Sequence, residues 1–225
     1  MHLFDLRRVW IVLIAALVLC GCAANPPAQQ ATKPTLRRGQ MIDRLTNSLV
    51  TMLPLDYAFD HFAAKDPTWP FPGKAKSVTS EQMACMRKEL SSAGFRQTRH
   101  HEAEAYAKDH PSHLQEDIEL LEGGAAETYG KLVKAGIDAK ISGGSADSNA
   151  VLKSMRSEQL LSFMTFTKDP AYGDLRKLAG IGDSIGDAES KEEGKKAGRQ
   201  IGSSLASRYM LQAAVTCNVP PSAYL

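Results

Sequence analysis

Past residue 36, apolar residues recur at three- and four-residue intervals, and period-two alternation never lasts more than a few positions. That pattern predicts helices and no sheet. Ile42, Leu45, Leu49 and Met52 or Leu53 form one face of an amphipathic helix that Pro54 ends. Thr79, three residues before Gln82, is a capping-box start, and Met83, Met86 and Leu90 continue its apolar stripe. Gly94 interrupts that stripe, and a second helical stretch follows to Lys108. Asp109-His110-Pro111 marks a boundary, with Pro111 in the first turn of the next helix. Leu114, Ile118, Leu121, Ala125, Tyr129 and Leu132 carry that helix to about Lys134, where Gly136 suits its end.

After the Ser142-Gly143-Gly144-Ser145 loop, helix resumes near Asn149 and again at Ser157-Glu158-Gln159. Leu160, Leu161, Phe163, Met164 and Phe166 are dense enough to predict the central helix of the fold. Asp169-Pro170 restarts helix through Leu178, Gly180, Gly182 and Gly186 loosen the chain, and a last helix runs from about Ser190 to Cys217. The prediction is all-α: six or seven helices in one irregular bundle over residues 36–225, with no internal repeat.

The N-terminus follows a different pattern. Arg7 and Arg8 precede Val9–Cys20, twelve residues without a charge. At ~1.5 Å per residue the run spans about 18 Å, short of a ~30 Å hydrocarbon core. It reads as the charged and apolar regions of a secretory signal. Leu19-Cys20-Gly21-Cys22 resembles the lipobox of bacterial lipoproteins, with Leu19, Cys20 and Gly21 at minus three, two and one from Cys22. Cys20 does not fit as the acceptor, because Leu19 stands where a small residue belongs.

The resemblance implies a signal peptide over 1–21, a diacylglycerol thioether on Cys22, and acylation of the amine freed by cleavage. Such an anchor holds the membrane far more firmly than one acyl chain. Ala23, where an Asp would retain the protein at the inner membrane, implies the outer membrane, facing the periplasm. The alternative is an ordinary cleaved signal before a soluble protein. Residues 22–35, rich in Pro, Ala and Gln, read as a flexible tether.

With 27 basic and 25 acidic residues, the chain gives no electrostatic argument for nucleic acid. Once Cys20 and Cys22 are assigned to the leader and the lipid, Cys85 and Cys217 remain. Two exported thiols form a natural pair, and a bridge would tie an early helix to the last one. Two separate buried thiols are the alternative.

Candidate binding chemistry is sparse. Trp69 and Phe71 sit in Asp66-Pro67-Thr68-Trp69-Pro70-Phe71-Pro72-Gly73, where the prolines deny regular structure. They read as plugs folded onto the domain, or else as an exposed aromatic patch for a partner. Gly194, Gly198, Gly202 and Ala206 fall four apart on the last helix. The glycines cost helix propensity that close packing would offset. That packing is against a neighbouring helix, a partner protein, or a second copy in a homodimer.

His100, His101, His110 and His113, with Glu102, Glu104 and Asp109 among them, offer metal-ligand spacing at His100 and Glu104. The HExxH pattern is broken, since Ala105 stands where the second His belongs, and a solvated face is the simpler reading. No metal or other cofactor is expected. Phosphate loops are excluded by the lack of a preceding strand and by Glu189 and Lys196 at required positions. SxxK does not occur; Gly182-Asp183-Ser184-Ile185-Gly186 matches GxSxG in spacing, but no strand is expected before it as that nucleophile turn requires, and Cys85 lies in an apolar helix that suits an inert or bridged thiol.

Residues 157–178 resemble a motif of an uncharacterised family of small helical bacterial periplasmic proteins. In it a Ser-x-x-x-Leu-x-x-Phe helix precedes a Pro-x-Gly turn and another helix. Leu161, Phe163, Phe166, Pro170 and Gly173 stand in comparable roles, with the turn widened by Tyr172. The resemblance implies a helical envelope protein and transfers no catalytic residue. The function expected is non-enzymatic: a lipid-anchored lipoprotein that binds a protein partner, of the kind that neutralises an envelope-targeting toxin. An envelope scaffold, and a small-ligand or metal-binding lipoprotein, are the alternatives.

Overall fold

The structure is a computed structural model that describes residues 37–182 and 191–224. The expected signal over 1–21, the lipobox resemblance at Cys22 and the expected tether over 22–35 lie outside the described residues. Ten α-helical segments form among the described residues, and no strand does. They are α1 (Arg38–Met52), α2 (Leu55–Lys65), α3 (Ser80–Glu89), α4 (Ser92–Asp109) and α5 (Leu114–Leu120). Then follow α6 (Ala126–Ser142), α7 (Ser148–Lys153), α8 (Ser157–Lys168), α9 (Gly173–Ala179) and α10 (Lys191–Thr216). All lie in one compact unit that begins at Arg37.

The central helix is α1, not α8. Leu45, Leu49 and Met52 on the predicted stripe are fully buried, and α1 packs against α4, α5 and α6. In α8 only Phe166 among the apolar side chains is fully buried, while Leu161 and Met164 face solvent. Density of apolar residues misleads here because Leu161 and Met164 point away from the stripe that ends in Phe166.

The segment count exceeds six or seven for local reasons. Residues 55–65 wind into α2, burying Leu55, Ala58 and Phe59. The helix expected from Pro111 begins only at Leu114, and a π turn at Leu121–Ala125 breaks it. Gly124 takes φ 129° there, a value glycine tolerates, and a Cβ would lie 2.5 Å from Cα of Gln159. The π turn is thus where α8 lies against the α5–α6 rod. Arg44 of α1 holds Glu122 of the turn through both guanidinium edge nitrogens.

The rod does not end at Gly136. It continues to Ser142 and closes at Gly143, whose φ of 73° makes it the left-handed cap. Gly130 marks the tightest crossing: a Cβ there would lie 2.1 Å from the Thr51 carbonyl oxygen, so glycine lets α6 cross the end of α1. The Thr79–Gln82 capping box forms as predicted, with both reciprocal bonds present at 3.2 and 2.9 Å.

Candidate functional site

Cys85 of α3 and Cys217, one residue past α10, form a disulfide. It joins the last long helix to the front of the domain. Val219 and Ala223 of the following tail are buried, the Pro221–Ala223 turn packs on Ala75–Ser77, and Gln82 Nε2 donates to the Asn218 carbonyl at 2.5 Å.

Trp69 and Phe71 are plugs. Phe71 is 2% exposed and belongs to the core, and Trp69 packs half-buried on Phe59 at 5.6 Å between ring centroids. Arg87 secures the loop by donating to the carbonyls of Pro67 and Trp69. These aromatics therefore do not form an exposed partner patch. Burial is their best outcome because the proline-rich loop has no other apolar cover.

The glycine row behaves differently. Gly194, Gly198 and Gly202 are exposed, and a Cβ at Gly198 or Gly202 would meet nothing within 4 Å. Close packing against another helix of the domain is overturned for these two. The buried row of α10 is Ile201, Leu205, Tyr209 and Ala213, and it runs on to Cys217 just past the helix. It starts one residue, or about 100° of helix rotation, away from Gly202.

The histidines separate into two places. On α4, His100 Nδ1 lies 3.3 Å from the Thr46 hydroxyl and 3.8 Å from Asp43, and its Nε2 lies 3.6 Å from Glu104. Among the described residues no group of three or more His, Cys, Asp or Glu is arranged to hold a metal. At the α4–α5 corner, His110 stacks on Tyr106 at 4.3 Å, and the Tyr106 hydroxyl donates to Asp117 Oδ2 at 2.8 Å. Burial raises the Asp117 carboxyl above its ordinary value, against the pull of that bond and of His113 and His110. Burial also raises the Tyr106 phenol. Acceptor and donor satisfy each other, so this pair locks the corner.

A second polar centre was not signalled by the sequence. Arg99, on α4, is fully buried beside Phe95 and Tyr209. It bonds Glu102, which also takes Arg208 of α10 at 2.9 Å. Nearby, Phe95 and Tyr209 help line a cavity of about 10 Å³ between α2, α3, α4 and α10. That volume admits about one water.

Two apolar pairs remain on the surface at helical spacing. Leu161 and Met164 are 68% and 51% exposed on α8, and Leu211 and Val215 are 47% and 73% exposed on α10. The second pair, one turn apart, continues an exposed row with Ser204 and Arg208. A cue existed in the sequence, since Leu211 and Val215 fall outside the four-residue register of Ile201, Leu205, Tyr209 and Ala213. No helix among the described residues is long and apolar enough to cross a membrane. No family model, curated protein or solved structure matches the chain.

Proposed function

We propose that this chain is a lipoprotein, anchored through Cys22 in the outer membrane and facing the periplasm, that works by binding a protein partner rather than by catalysis. The lipobox residues support the anchor. The observation that carries the binding role is the exposed Leu211–Val215 pair on α10, one turn from the disulfide that fixes the end of that helix. Exposed apolar side chains on a stiff element bind with little loss of conformational entropy. A partner covering them gains ~25 cal/mol per Å² of apolar surface removed from water. The role that fits such an anchored surface is immunity, in which the domain occupies a toxin that acts on the envelope. A scaffold of envelope assembly would use the same surface.

The test is affinity capture of the full lipid-anchored chain from its own cells, alongside Leu211→Asp/Val215→Asp. One dominant secreted protein at near-equal stoichiometry, lost from the variant, supports immunity, and an envelope assembly factor lost in the same way supports the scaffold. Capture of identical proteins by wild type and variant defeats the role given to this face. Sensitivity of cells lacking the gene to attack by siblings is the phenotype the immunity reading requires.

A further inference from the structure

The methionines among the described residues sit in very different surroundings. Met52 of α1 and Met86 of α3 are fully buried, and Met155 is nearly so. The Met155 sulfur also accepts the Thr128 hydroxyl at 3.4 Å, which engages a lone pair. Met41, Met83 and Met210 pack half-buried against the core. Met164 of α8 differs from all of these: half of its surface is open to solvent.

The way α8 is held leaves Met164 apart from its anchors. Gln159 and Phe166 are buried on the packed side, and Gln159 Nε2 donates to Glu127 at 2.6 Å. At ~100° per residue, Met164 lies about 140° of helix rotation from Gln159 and about 160° from Phe166. Its own row is exposed: Ser157, Leu161, Met164 and Lys168 follow one another at helical spacing. Chemistry at the Met164 sulfur therefore touches neither anchor of the helix.

We propose that Met164 is a modification site, at which a hydroperoxide oxidises the thioether to the sulfoxide on the folded domain. A sulfur lone pair attacks the terminal peroxide oxygen and the O–O bond breaks. That oxygen stays on sulfur, and the other takes its proton and leaves as water or an alcohol. Sulfur gives up two electrons and the peroxide receives them. The product is a polar acceptor in place of an apolar chain end. Lys168, exposed one turn on, carries an ammonium that can donate to it. Of the exposed pair, only Leu161 then remains apolar. The α8 face is thus an apolar surface that an oxidant switches off and sulfoxide reduction restores. The site is independent of the Leu211–Val215 surface and of the partner proposed for it.

The test treats the full chain in detergent with hydrogen peroxide, and maps sulfoxide by peptide mass against time. Met164 should oxidise first, about tenfold or more faster than Met52 and Met86, which react only when the core opens. Protein oxidised at Met164 alone should keep its Tm within about 2 °C, as a surface change does, and methionine sulfoxide reductase should restore it without unfolding. Met164→Leu should remove the fast phase and leave the slow ones. Met164→Gln, polar and of similar length, should fold with the same Tm as the oxidised protein. Oxidation that starts at a buried or half-buried methionine, or a Tm that collapses as Met164 oxidises, overturns the proposal. The time course on unaltered protein decides this even if a variant fails to fold.

Discussion

Cutting the Cys85–Cys217 bond offers the sharpest stability test of this fold. The bridge closes a loop with a sequence separation of 132. In the chain-entropy model, a loop of that length lowers the entropy of the unfolded chain by the equivalent of about 5 kcal/mol at 25 °C, an upper figure because denatured chains are already partly compact. The native side adds a second effect: the tail after the bond is held by buried Val219 and Ala223 and by the Gln82–Asn218 contact, and should loosen before the rest.

Cys85→Ala/Cys217→Ala, compared with oxidised wild type by urea denaturation, should lose about 3–5 kcal/mol. The slope against urea should rise, because the unlinked chain exposes more surface when unfolded. Tm should fall by roughly 10 °C for a chain of this size. Limited proteolysis should first release the segment after Thr216. A loss below about 1 kcal/mol with an unchanged slope would refute the reasoning, since a long loop that is truly closed cannot be cut so cheaply.

Other substitutions probe separate claims. Gly130→Ala drives a methyl group into the Thr51 carbonyl and should cost about 1–3 kcal/mol or more, read by thermal unfolding. Gly198→Ala meets open space and should instead stabilise the isolated chain by up to about 1 kcal/mol through helix propensity. Equal losses at both glycines would contradict the exposed placement of the α10 row. Asp117→Asn keeps an acceptor for the Tyr106 hydroxyl and removes a carboxyl whose pKa burial raises from 3.8. A raised pKa means the native state holds the proton more tightly, so wild type loses this stability as pH climbs from about 3.8 through the higher native value. The variant lacks that loss, and its advantage over wild type should grow across this window and hold at pH 7. A Tm difference independent of pH would refute the assignment. Leu45→Ala, fully buried on the central helix, should cost about 2–5 kcal/mol by urea unfolding, and a loss typical of surface sites would displace α1 from the centre.

Helical periodicity made most of the architecture legible. The stripe Leu114, Ile118, Leu121, Ala125 and Tyr129 is buried throughout, even though a π turn interrupts it, because the extra residue is absorbed between Leu121 and Ala125. The Thr79–Gln82 box and the Cys85–Cys217 pair were equally readable, one from local hydrogen-bond chemistry and the other by elimination once Cys20 and Cys22 are set aside on the expectation of export. What periodicity could not give was orientation. The run Leu160–Phe166 looked central because it is apolar, yet Leu161 and Met164 face out. Gly194, Gly198 and Gly202 share a row, but the neighbouring row at Ile201 and Leu205 is the one that packs. Arg99 was invisible for a related reason: a lone arginine in a polar helix reads as surface until Phe95 and Tyr209 close over it.

The proposed anchor places this protein through Cys22, and the most direct measurement is the intact mass of the N-terminal peptide of protein purified from its own membranes. The account predicts that the mature chain begins at Cys22, carries a diacylglycerol thioether and an amide-linked acyl chain, and leaves the outer membrane when Cys22→Ser is made. A mature chain that begins elsewhere, or an unmodified Cys22, would contradict the anchor and with it the envelope role built upon it.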